Sequence, residues 1–275
     1  MADLCERASR ISSGTVSLVG AGPGDPGLLT VRALELIRNA NVVLHDHLVT
    51  REILAECKPG ARRIDIGKVG HGPQANQTAI EQLLISLARA GRCVVRLKGG
   101  DPLLFGRGAE EAMALRRADV PFEIVPGVSS ALAAPAYAGI SLTARGIAST
   151  VAIMSGHCAS TGAAPTSVPS ADTIVVLMGV ANAVAVRDRL IASGRRGDTA
   201  AAVIEWGTCA QQRVAVGTLA TLPEVLARGG LHAPAVIVIG DVVGRRAMMD
   251  WRSDSGDTIL SRSRLNAVQQ PGAKT

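Results

Sequence analysis

The sequence predicts an α/β protein made of two α/β domains, on three observations. Short β-branched and aliphatic runs alternate with helical patterns along almost the whole chain, which is typical of buried, mostly parallel strands covered by helices. The 275 residues exceed the commonest size of a single domain. Hydrophobic residues make up 47% of the sequence and aromatic residues only 2%, so small aliphatic side chains must form closely packed helix-on-sheet cores.

The first domain is expected over residues 14–130, after a flexible N-terminus at residues 1–13. Thr30 is placed to cap its first helix. The predicted strands are 16–19, 42–44, 63–66, 94–97 and 122–125, and the predicted helices are 31–38, 77–90 and 109–117.

The second domain is expected over residues 131–243. Residues 158–172 are rich in small and polar residues and predict a surface loop, and residues 244–275 predict a disordered tail. The predicted strands are 150–154, 174–178, 201–205 and 235–239, and the predicted helices are 182–192 and 222–228.

Composition and charge narrow the class of ligand. The net charge of +6 favours an anionic partner, whereas two Trp, two Phe and one Tyr offer few rings for stacking bases, so nucleic-acid binding is not expected. The five cysteines are scattered without a C-x-x-C pair, and neither a membrane span nor a signal peptide is evident. These features predict a cytoplasmic protein with a small anionic substrate and no membrane partner.

Two glycine-rich turns follow predicted strands, at residues 19–25 and 97–108. Because parallel strands end at one edge of a sheet, the two turns are expected to line one crevice. Pro23 removes a donor and Asp25 places a negative charge where a pyrophosphate would lie, so the first turn is not the dinucleotide fingerprint. Asp101 in the second turn either holds the ammonium group of an amino-acid-like ligand or caps the turn that follows it.

Six segments, taken together, form a more specific pattern than either turn alone. They are Gly20-x-Gly22-Pro23-Gly24-Asp25, Gly99-Gly100-Asp101-Pro102 with Phe105-Gly106-Arg107-Gly108, Pro126-Gly127-Val128-Ser129-Ser130-Ala131, Leu142-Thr143-Ala144-Arg145, Val176-Leu177-Met178-Gly179 and Pro234-Ala235-Val236-Ile237. In order and spacing they resemble the tetrapyrrole (corrin/porphyrin) methylase family over residues 15–243. Asp46, Gly67-Lys68 and residues 211–218 resemble the subfamily that methylates uroporphyrinogen III.

The resemblance implies a homodimer whose chains have two α/β domains of the tetrapyrrole methylase type, with the active site in the cleft between them. The implied reaction methylates uroporphyrinogen III at C2 and C7 with S-adenosyl-L-methionine as co-substrate, giving precorrin-2 and S-adenosylhomocysteine without a metal. Ala144 stands where relatives often have His, and Leu103 where they often have an aromatic residue. The residues carried over to the donor site are Pro23, Gly99, Gly100, Asp101, Leu104, Ser129, Ser130, Met178 and Gly207.

The resemblance also implies catalytic roles. Methyl transfer from sulfonium to carbon requires alignment, and a base must then take a proton. Asp46 and Lys68 stand where the subfamily has its proton acceptor and donor, although their local sequence alone favours a strand end and a solvated loop charge. Arg107, Glu110 and Arg145 stand at substrate-facing positions, where guanidinium groups suit the carboxylates of uroporphyrinogen.

Several alternatives stay open at this level. Another precorrin methyltransferase or a diphthine synthase-like enzyme shares the family pattern, but Asp46, Lys68 and Arg107 argue against both. A nicotinamide-dependent dehydrogenase needs the G-x-G-x-x-G fingerprint, which is lacking. His45 and His47 share one face of a strand, yet no third metal ligand follows at a recognised spacing. The sequence leaves open whether the product feeds sirohaem, cobalamin or haem d1, which residue accepts the proton, and what the basic C-terminal tail does.

Overall fold

A computed structural model describes residues 14–66, 73–157 and 168–252, with only the backbone described at residues 73–76. The chain divides into two compact units, Met1–Ser129 and Ser130–Thr275. Both units combine strands and helices, as the sequence predicts. In the first unit a short 3-10 helix follows the first strand, and the main elements are β1 (Val16–Gly20), α1 (Val31–Asn39), β2 (Val42–His45), α2 (Arg51–Ala55), β3 (Arg62–Asp65), α3 (Pro73–Arg89), β4 (Val94–Lys98), α4 (Gly108–Arg117) and β5 (Phe122–Val125).

The strands of the first unit form a parallel sheet in the order β3-β2-β4-β1-β5. Successive side chains of a strand point to opposite faces, so each strand contributes to two cores. Val94 packs with residues of α3 and α4, whereas Val95 and Leu97 pack with residues of α1 and α2. The predicted parallel sheet is therefore confirmed for this unit.

Helix α1 shows how local sequence sets one of these elements. Thr30 Oγ1 accepts a hydrogen bond of 3.1 Å from Ala33 N, which confirms its predicted role as N-cap. Ala33, Leu36 and Ile37 are buried at helical spacing and form the face that packs on the sheet.

The second unit contains a sheet in the order β6-β7-β10-β8-β9. The β6–β7 pair is parallel, but β10 is antiparallel to both of its neighbours and β8 is antiparallel to β9. The expectation of mostly parallel strands is wrong for this sheet, because β8 and β9 are joined directly and need no crossover helix. The main elements are α5 (Ser130–Tyr137), β6 (Val151–Ser155), β7 (Thr173–Leu177), α6 (Ala183–Ala192), β8 (Ala200–Glu205), β9 (Arg213–Thr218), α7 (Leu222–Gly229), β10 (Ala235–Ile239) and α8 (Arg246–Met249).

Three elements were not predicted from the sequence: α2, α5 and β9. Helix α5 contains Pro135 and buries Ala131, Ala133 and Ala134, so it has neither a polar face nor a strong helical period. Its small side chains allow the close backbone approach that the site loops use. Among the described residues, no helix is both long and apolar enough to cross a membrane.

The end of the described chain corrects the predicted tail. Residues 244–252 were expected to be disordered, but they are described and include α8. The reason is packing: Trp251 Nε1 donates a 3.0 Å hydrogen bond to Ala136 O, and its ring meets that of Tyr137 edge to face at 5.3 Å. The predicted N-terminus at residues 1–13, residues 158–167 of the predicted loop and residues 253–275 lie outside the described residues.

Candidate active site

The turn after β4 connects the loops at the carboxyl edge of the first sheet. Gly99 N donates to Asp46 Oδ2 at 3.2 Å, which joins this turn to the loop after β2. Gly100 N donates to Gly22 O at 2.7 Å and Gly22 N donates to Gly100 O at 3.2 Å, which joins it to the loop after β1. Two consecutive residues thus hold two neighbouring loops by main-chain hydrogen bonds.

Asp101 adds a third connection. Its Oδ2 accepts a 3.1 Å hydrogen bond from Gly127 N in the loop after β5. Its Oδ1 accepts hydrogen bonds from Leu103 N at 2.8 Å and Leu104 N at 3.2 Å, so the carboxylate also caps the following turn. Residues 99–101, which we call the loop hub, thereby fix the loops after β1, β2 and β5.

The glycines of these loops are required first of all by the contact of backbone with backbone. A Cβ at Gly127 would lie 2.3 Å from Gly100 O, and a Cβ at Gly20 would lie 2.5 Å from Gly127 Cα. The expectation that such glycines serve the approach of a ligand needs correction here. The Gly100 N–H is committed to Gly22, so only the Gly100 carbonyl is left with a lone pair for a ligand.

The first glycine turn has a structural reason for rejecting a phosphate. Asp25 caps the 3-10 helix Pro26–Leu28, and its Oδ1 accepts a 2.8 Å hydrogen bond from Gly27 N. Gly24 O accepts a hydrogen bond of 3.0 Å from Thr50 Oγ1. The carboxylate thus takes the helix N-terminus that holds a pyrophosphate in dinucleotide-binding folds.

Asp46 is half-buried directly after β2. Its two oxygens accept one main-chain hydrogen bond each, from Leu48 N at 3.0 Å and from Gly99 N. His45 Nδ1 lies 3.0 Å from Asp46 O and His47 is exposed. Within residues 14–66, 73–157 and 168–252, no group of three His, Cys, Asp or Glu side chains is arranged to hold a metal. Lys68, the predicted proton donor, lies outside the described residues.

Arg107 and Glu110 form the pair that their i, i+3 spacing predicts. Arg107 Nε and Nη2 donate to the two Glu110 oxygens at 2.9 and 2.7 Å, and both side chains are partly exposed. The Arg107 hydrogen bonds lower the pKa of Glu110 below its ordinary value, and the same contact raises that of Arg107. Arg107 caps α4 with φ of 60°, a left-handed conformation that is rare for a residue with a side chain.

Three charged side chains lie beneath the loop hub and were not singled out from the sequence. Arg96 Nε and Lys98 Nζ both donate to Glu111, at 3.0 and 3.2 Å, and the three residues are at most 4% exposed. We call them the buried charge cluster. The available signal was two charged residues at alternate positions of an otherwise apolar strand, which places both on one face.

In the second unit, Met178 and Gly207 lie at the same edge of the sheet. Leu177 pairs with Val236 and Glu205 pairs with Ala235, so the ends of β7 and β8 flank the start of β10. Met178 has φ of 55° and is 50% exposed, so it is a surface residue of a strained turn rather than part of the core.

The loop around Gly207 is held by a residue that sequence reasoning used only as a subfamily marker. Gln212 is buried, its Oε1 accepts from Thr208 N at 2.9 Å, and its Nε2 donates to Tyr137 O at 3.0 Å. A Cβ at Gly207 would lie 2.3 Å from Ala134 Cβ, so glycine lets this loop pack on α5. Gln212 therefore fixes the Gly207 loop to the helix that Ser130 begins.

The remaining predicted residues occupy distinct places. Pro23 is half-buried in the loop after β1, and Ser129 is buried at the end of the first unit. Arg145 is exposed in the second unit, in a tight turn closed by hydrogen bonds between Ala144 and Ala148. The first unit thus brings together Asp46, Gly99, Gly100, Asp101 and Leu104, and the second brings together Met178, Gly207 and the α5 helix.

Two α/β units, one with glycine-rich loops at the carboxyl edge of a parallel sheet and one with strained loops at the edge of a mixed sheet, define the class. The chain belongs to the family described as Tetrapyrrole (Corrin/Porphyrin) Methylases, whose model matches residues 15–223. The family resemblance and the α/β fold class are thereby confirmed.

Particular relatives narrow the similarity. A siroheme synthase from Tolumonas auensis is 46% identical over 268 residues, which cover 96% of this chain and 56% of the relative. The chain therefore spans little more than half the length of that relative. The crystal structure of uroporphyrin-III-C-methyltransferase from Thermus thermophilus is 41% identical with a TM-score of 0.74, and the match covers 86% of this chain and 98% of that one. A structure of the Thermus enzyme complexed with S-adenyl homocysteine is 40% identical with a TM-score of 0.71, and the match covers 83% and 98% of the two chains.

Proposed function

We propose that this chain transfers methyl groups from S-adenosyl-L-methionine to C2 and C7 of uroporphyrinogen III, giving precorrin-2 and two molecules of S-adenosylhomocysteine. The observation that carries the proposal is the 41% identity to uroporphyrin-III-C-methyltransferase over 98% of that enzyme's chain. The complex of that relative with S-adenyl homocysteine supports the choice of methyl donor.

The first unit has the chemical features that such a donor requires. S-adenosylmethionine combines a flat base, an apolar thioether arm and a zwitterionic end. The exposed side chains of Leu48, Leu103 and Phe105 lie on the loops that the hub fixes, next to the carboxylates of Asp46 and Asp101. Apolar side chains with a few placed polar groups are typical of small-molecule sites.

The reaction follows from the electronics of its partners. A nucleophilic ring carbon forms a bond to the methyl carbon while the carbon–sulfur bond breaks, and its electron pair goes to sulfur, which leaves a neutral thioether. The methylated ring system then loses a proton. Asp46 is proposed as its acceptor, because each carboxylate oxygen accepts one main-chain hydrogen bond and retains a lone pair. Lys68 stays the predicted proton donor.

Recognition of the substrate is assigned to charge. Uroporphyrinogen carries several carboxylates, and the Arg107 fork already binds a carboxylate, that of Glu110, by two parallel hydrogen bonds. We propose that Glu110 holds the guanidinium plane in position until substrate binds, and that exposed Arg145 binds a further carboxylate. The nicotinamide alternative loses support because Asp25 caps the first turn.

We also infer a cytoplasmic homodimer without a nucleic-acid or membrane partner. The family resemblance supports the dimer. The few aromatic residues and the scattered cysteines of the sequence support the rest. Light scattering of the purified protein should give twice the mass of one chain, and a mass of one chain would contradict the dimer.

The experiment that tests the proposed function is an anaerobic assay with uroporphyrinogen III and S-adenosylmethionine. We expect mass spectrometry to show one and then two added methyl groups, with equal turnover after EDTA treatment. Titration calorimetry should show S-adenosylmethionine binding at about micromolar affinity and no NAD binding. Methylation of a precorrin but not of uroporphyrinogen III would point to another enzyme of the family. Chelator-sensitive activity restored by zinc would favour the His45 and His47 alternative.

A further inference from the structure

The buried charge cluster is not balanced internally. Arg96 and Lys98 carry two positive charges, and Glu111 supplies one negative charge to both of them. Lys98 is 3% exposed and Glu111 is fully buried, so solvent screens them little. A buried excess charge is costly unless another group compensates for it, so a further carboxylate must lie within electrostatic reach.

Two carboxylates meet this condition, and both are proposed site residues. Lys98 is the last residue of β4, and the next residue, Gly99, binds Asp46 through its main-chain N–H. Glu111 adjoins Glu110 in α4, and the Lys98 charge acts on both Glu110 and Asp46. Lys98 is thus the member of the cluster that links the core to the candidate active site.

Arg96 makes a useful contrast. It binds the same Glu111 from the same face of β4, but it lies two residues, or about 6.6 Å, further from the carboxyl edge of the strand. The effects that lower the pKa of Glu110 include the Lys98 charge and not that of Arg96. Removal of either cation leaves one cation paired with Glu111, so the two variants are electrostatically matched within the cluster.

We propose that Lys98 is a positioning residue, whose buried ammonium group, held by Glu111, keeps Asp46 and Glu110 in their charged forms at the candidate active site. The inference rests on the proposed function, since it assigns Lys98 to the reaction that Asp46 and Glu110 are proposed to serve. The groups that face Lys98 are Arg96, Glu111, Asp46 and Glu110.

The same arrangement makes Lys98 sensitive to its neighbours. Burial, followed by the charge of Arg96, lowers the pKa of the Lys98 ammonium group below its ordinary value, while Glu111 and Asp46 act in the opposite direction. Loss of the Asp46 charge should therefore make Lys98 release its proton at lower pH. This coupling can be measured without any turnover.

The first test compares Lys98→Met with Arg96→Met in the uroporphyrinogen assay across pH. Without the Lys98 charge, Asp46 and Glu110 are harder to keep ionised. We expect the acid limb of kcat to move to higher pH in Lys98→Met, with about tenfold lower kcat on the acid side and an unchanged KM for S-adenosylmethionine. Arg96→Met should keep the wild-type pH profile. Equal profiles for both variants would show a merely structural cluster and overturn the proposal.

The second test follows the Lys98 side chain by NMR in the full chain, with Lys98→Met identifying its signal. We expect Asp46→Asn to lower the pH at which Lys98 loses its proton, and Arg96→Met to raise it. An unchanged Lys98 titration in Asp46→Asn would overturn the proposal even if the Lys98 variants proved inactive or misfolded. Because this measurement needs no substrate, a shift in Asp46→Asn would support the coupling even if uroporphyrinogen III were not methylated.

Discussion

Strained residues concentrate in the candidate site. Of the six described non-glycine residues with positive φ, five lie in loops that carry candidate site residues, and Asp119 is the exception. These five are Phe105, Arg107, Met178, Trp206 and Thr208. Such conformations cost free energy and persist where the surrounding structure over-determines them, which is typical of functional sites.

Arg107 allows strain and function to be separated. In Arg107→Gly the left-handed backbone becomes unstrained, a gain of about 1 kcal/mol, and the exposed ion pair with Glu110, worth about 0 to 1 kcal/mol, is lost. We expect the free energy of unfolding to stay equal or rise slightly, while kcat/KM falls by the equivalent of about 1.5 to 3 kcal/mol. The control is Arg116→Gly in the regular part of α4, which should lose about 1 kcal/mol of stability and keep its activity. A destabilised Arg107→Gly with normal kcat/KM would contradict both assignments.

Asp46 and Asp101 can be compared at equal structural cost. Each carboxylate accepts main-chain hydrogen bonds with both oxygens, so substitution by Asn removes at least one acceptor in either case, worth about 1 kcal/mol. We expect Asp46→Asn to lower the single-turnover rate by about 10² or more with normal donor affinity, and Asp101→Asn to weaken donor binding. Rapid-quench kinetics and calorimetry measure the two effects. A wild-type single-turnover rate in Asp46→Asn would remove Asp46 from the mechanism.

At the scale of elements, the loop hub makes three loops depend on one another. The loops after β1, β4 and β5 touch backbone to backbone, so a single added methyl group cannot be absorbed by a side-chain rotation. The hub also explains why glycine is needed at positions that contact no predicted ligand.

Gly127→Ala tests the hub. The added Cβ would lie 2.3 Å from Gly100 O and 2.7 Å from Gly20 Cα, so a loop must shift. We expect a loss of about 1 to 3 kcal/mol in the free energy of unfolding, with weaker donor binding. Gly244→Ala is the control, because nothing lies within 4 Å of its Cβ position. Denaturant unfolding of both variants is the measurement, and equal midpoints would contradict the close approach.

A second element-scale prediction concerns Asp172, which joins the starts of β6 and β7. Hydrogen bonds from Ser149 N, and from the side chain and main chain of Thr150, lower the pKa of Asp172 to about 2. A depressed carboxyl pKa stabilises the fold above the pKa of the unfolded chain, and this stabilisation is lost as the pH falls through about 2. We expect the stability difference between wild type and Asp172→Asn to be constant near neutral pH and to shrink from about pH 4 downward. A difference that does not change down to pH 2 would contradict this role.

At the scale of the whole molecule, ligand binding should report on the proposed chemistry through stability. A ligand that binds only the folded chain stabilises it by about 2.7 kcal/mol at a hundred times its dissociation constant. For a chain of this size we expect S-adenosylhomocysteine to raise the Tm by about 5 to 10 °C at that excess. NAD at the same concentration is the control and should leave the Tm unchanged. Equal shifts for both compounds would mean that the site does not select the methyl donor.

Much of this protein follows from local sequence patterns. The alternation of strands and helices, the Thr30 cap, the parallel sheet of the first unit and the spacing of Arg107 and Glu110 depend on residues a few positions apart, and the structure confirms them. The order of six motifs also sufficed to indicate the family, because each motif keeps its own local shape.

Only the tertiary structure decided which distant residues meet. The strand order places β4 between β1 and β2, so Gly99 reaches Asp46 and Gly100 reaches Gly22, although these partners are far apart in sequence. The same folding buries Lys98 against Glu111. The antiparallel β8–β9 pair and the ordered Trp251 were likewise beyond local patterns, because the free energy that fixes them comes from burial and from hydrogen bonds to partners that no short segment contains.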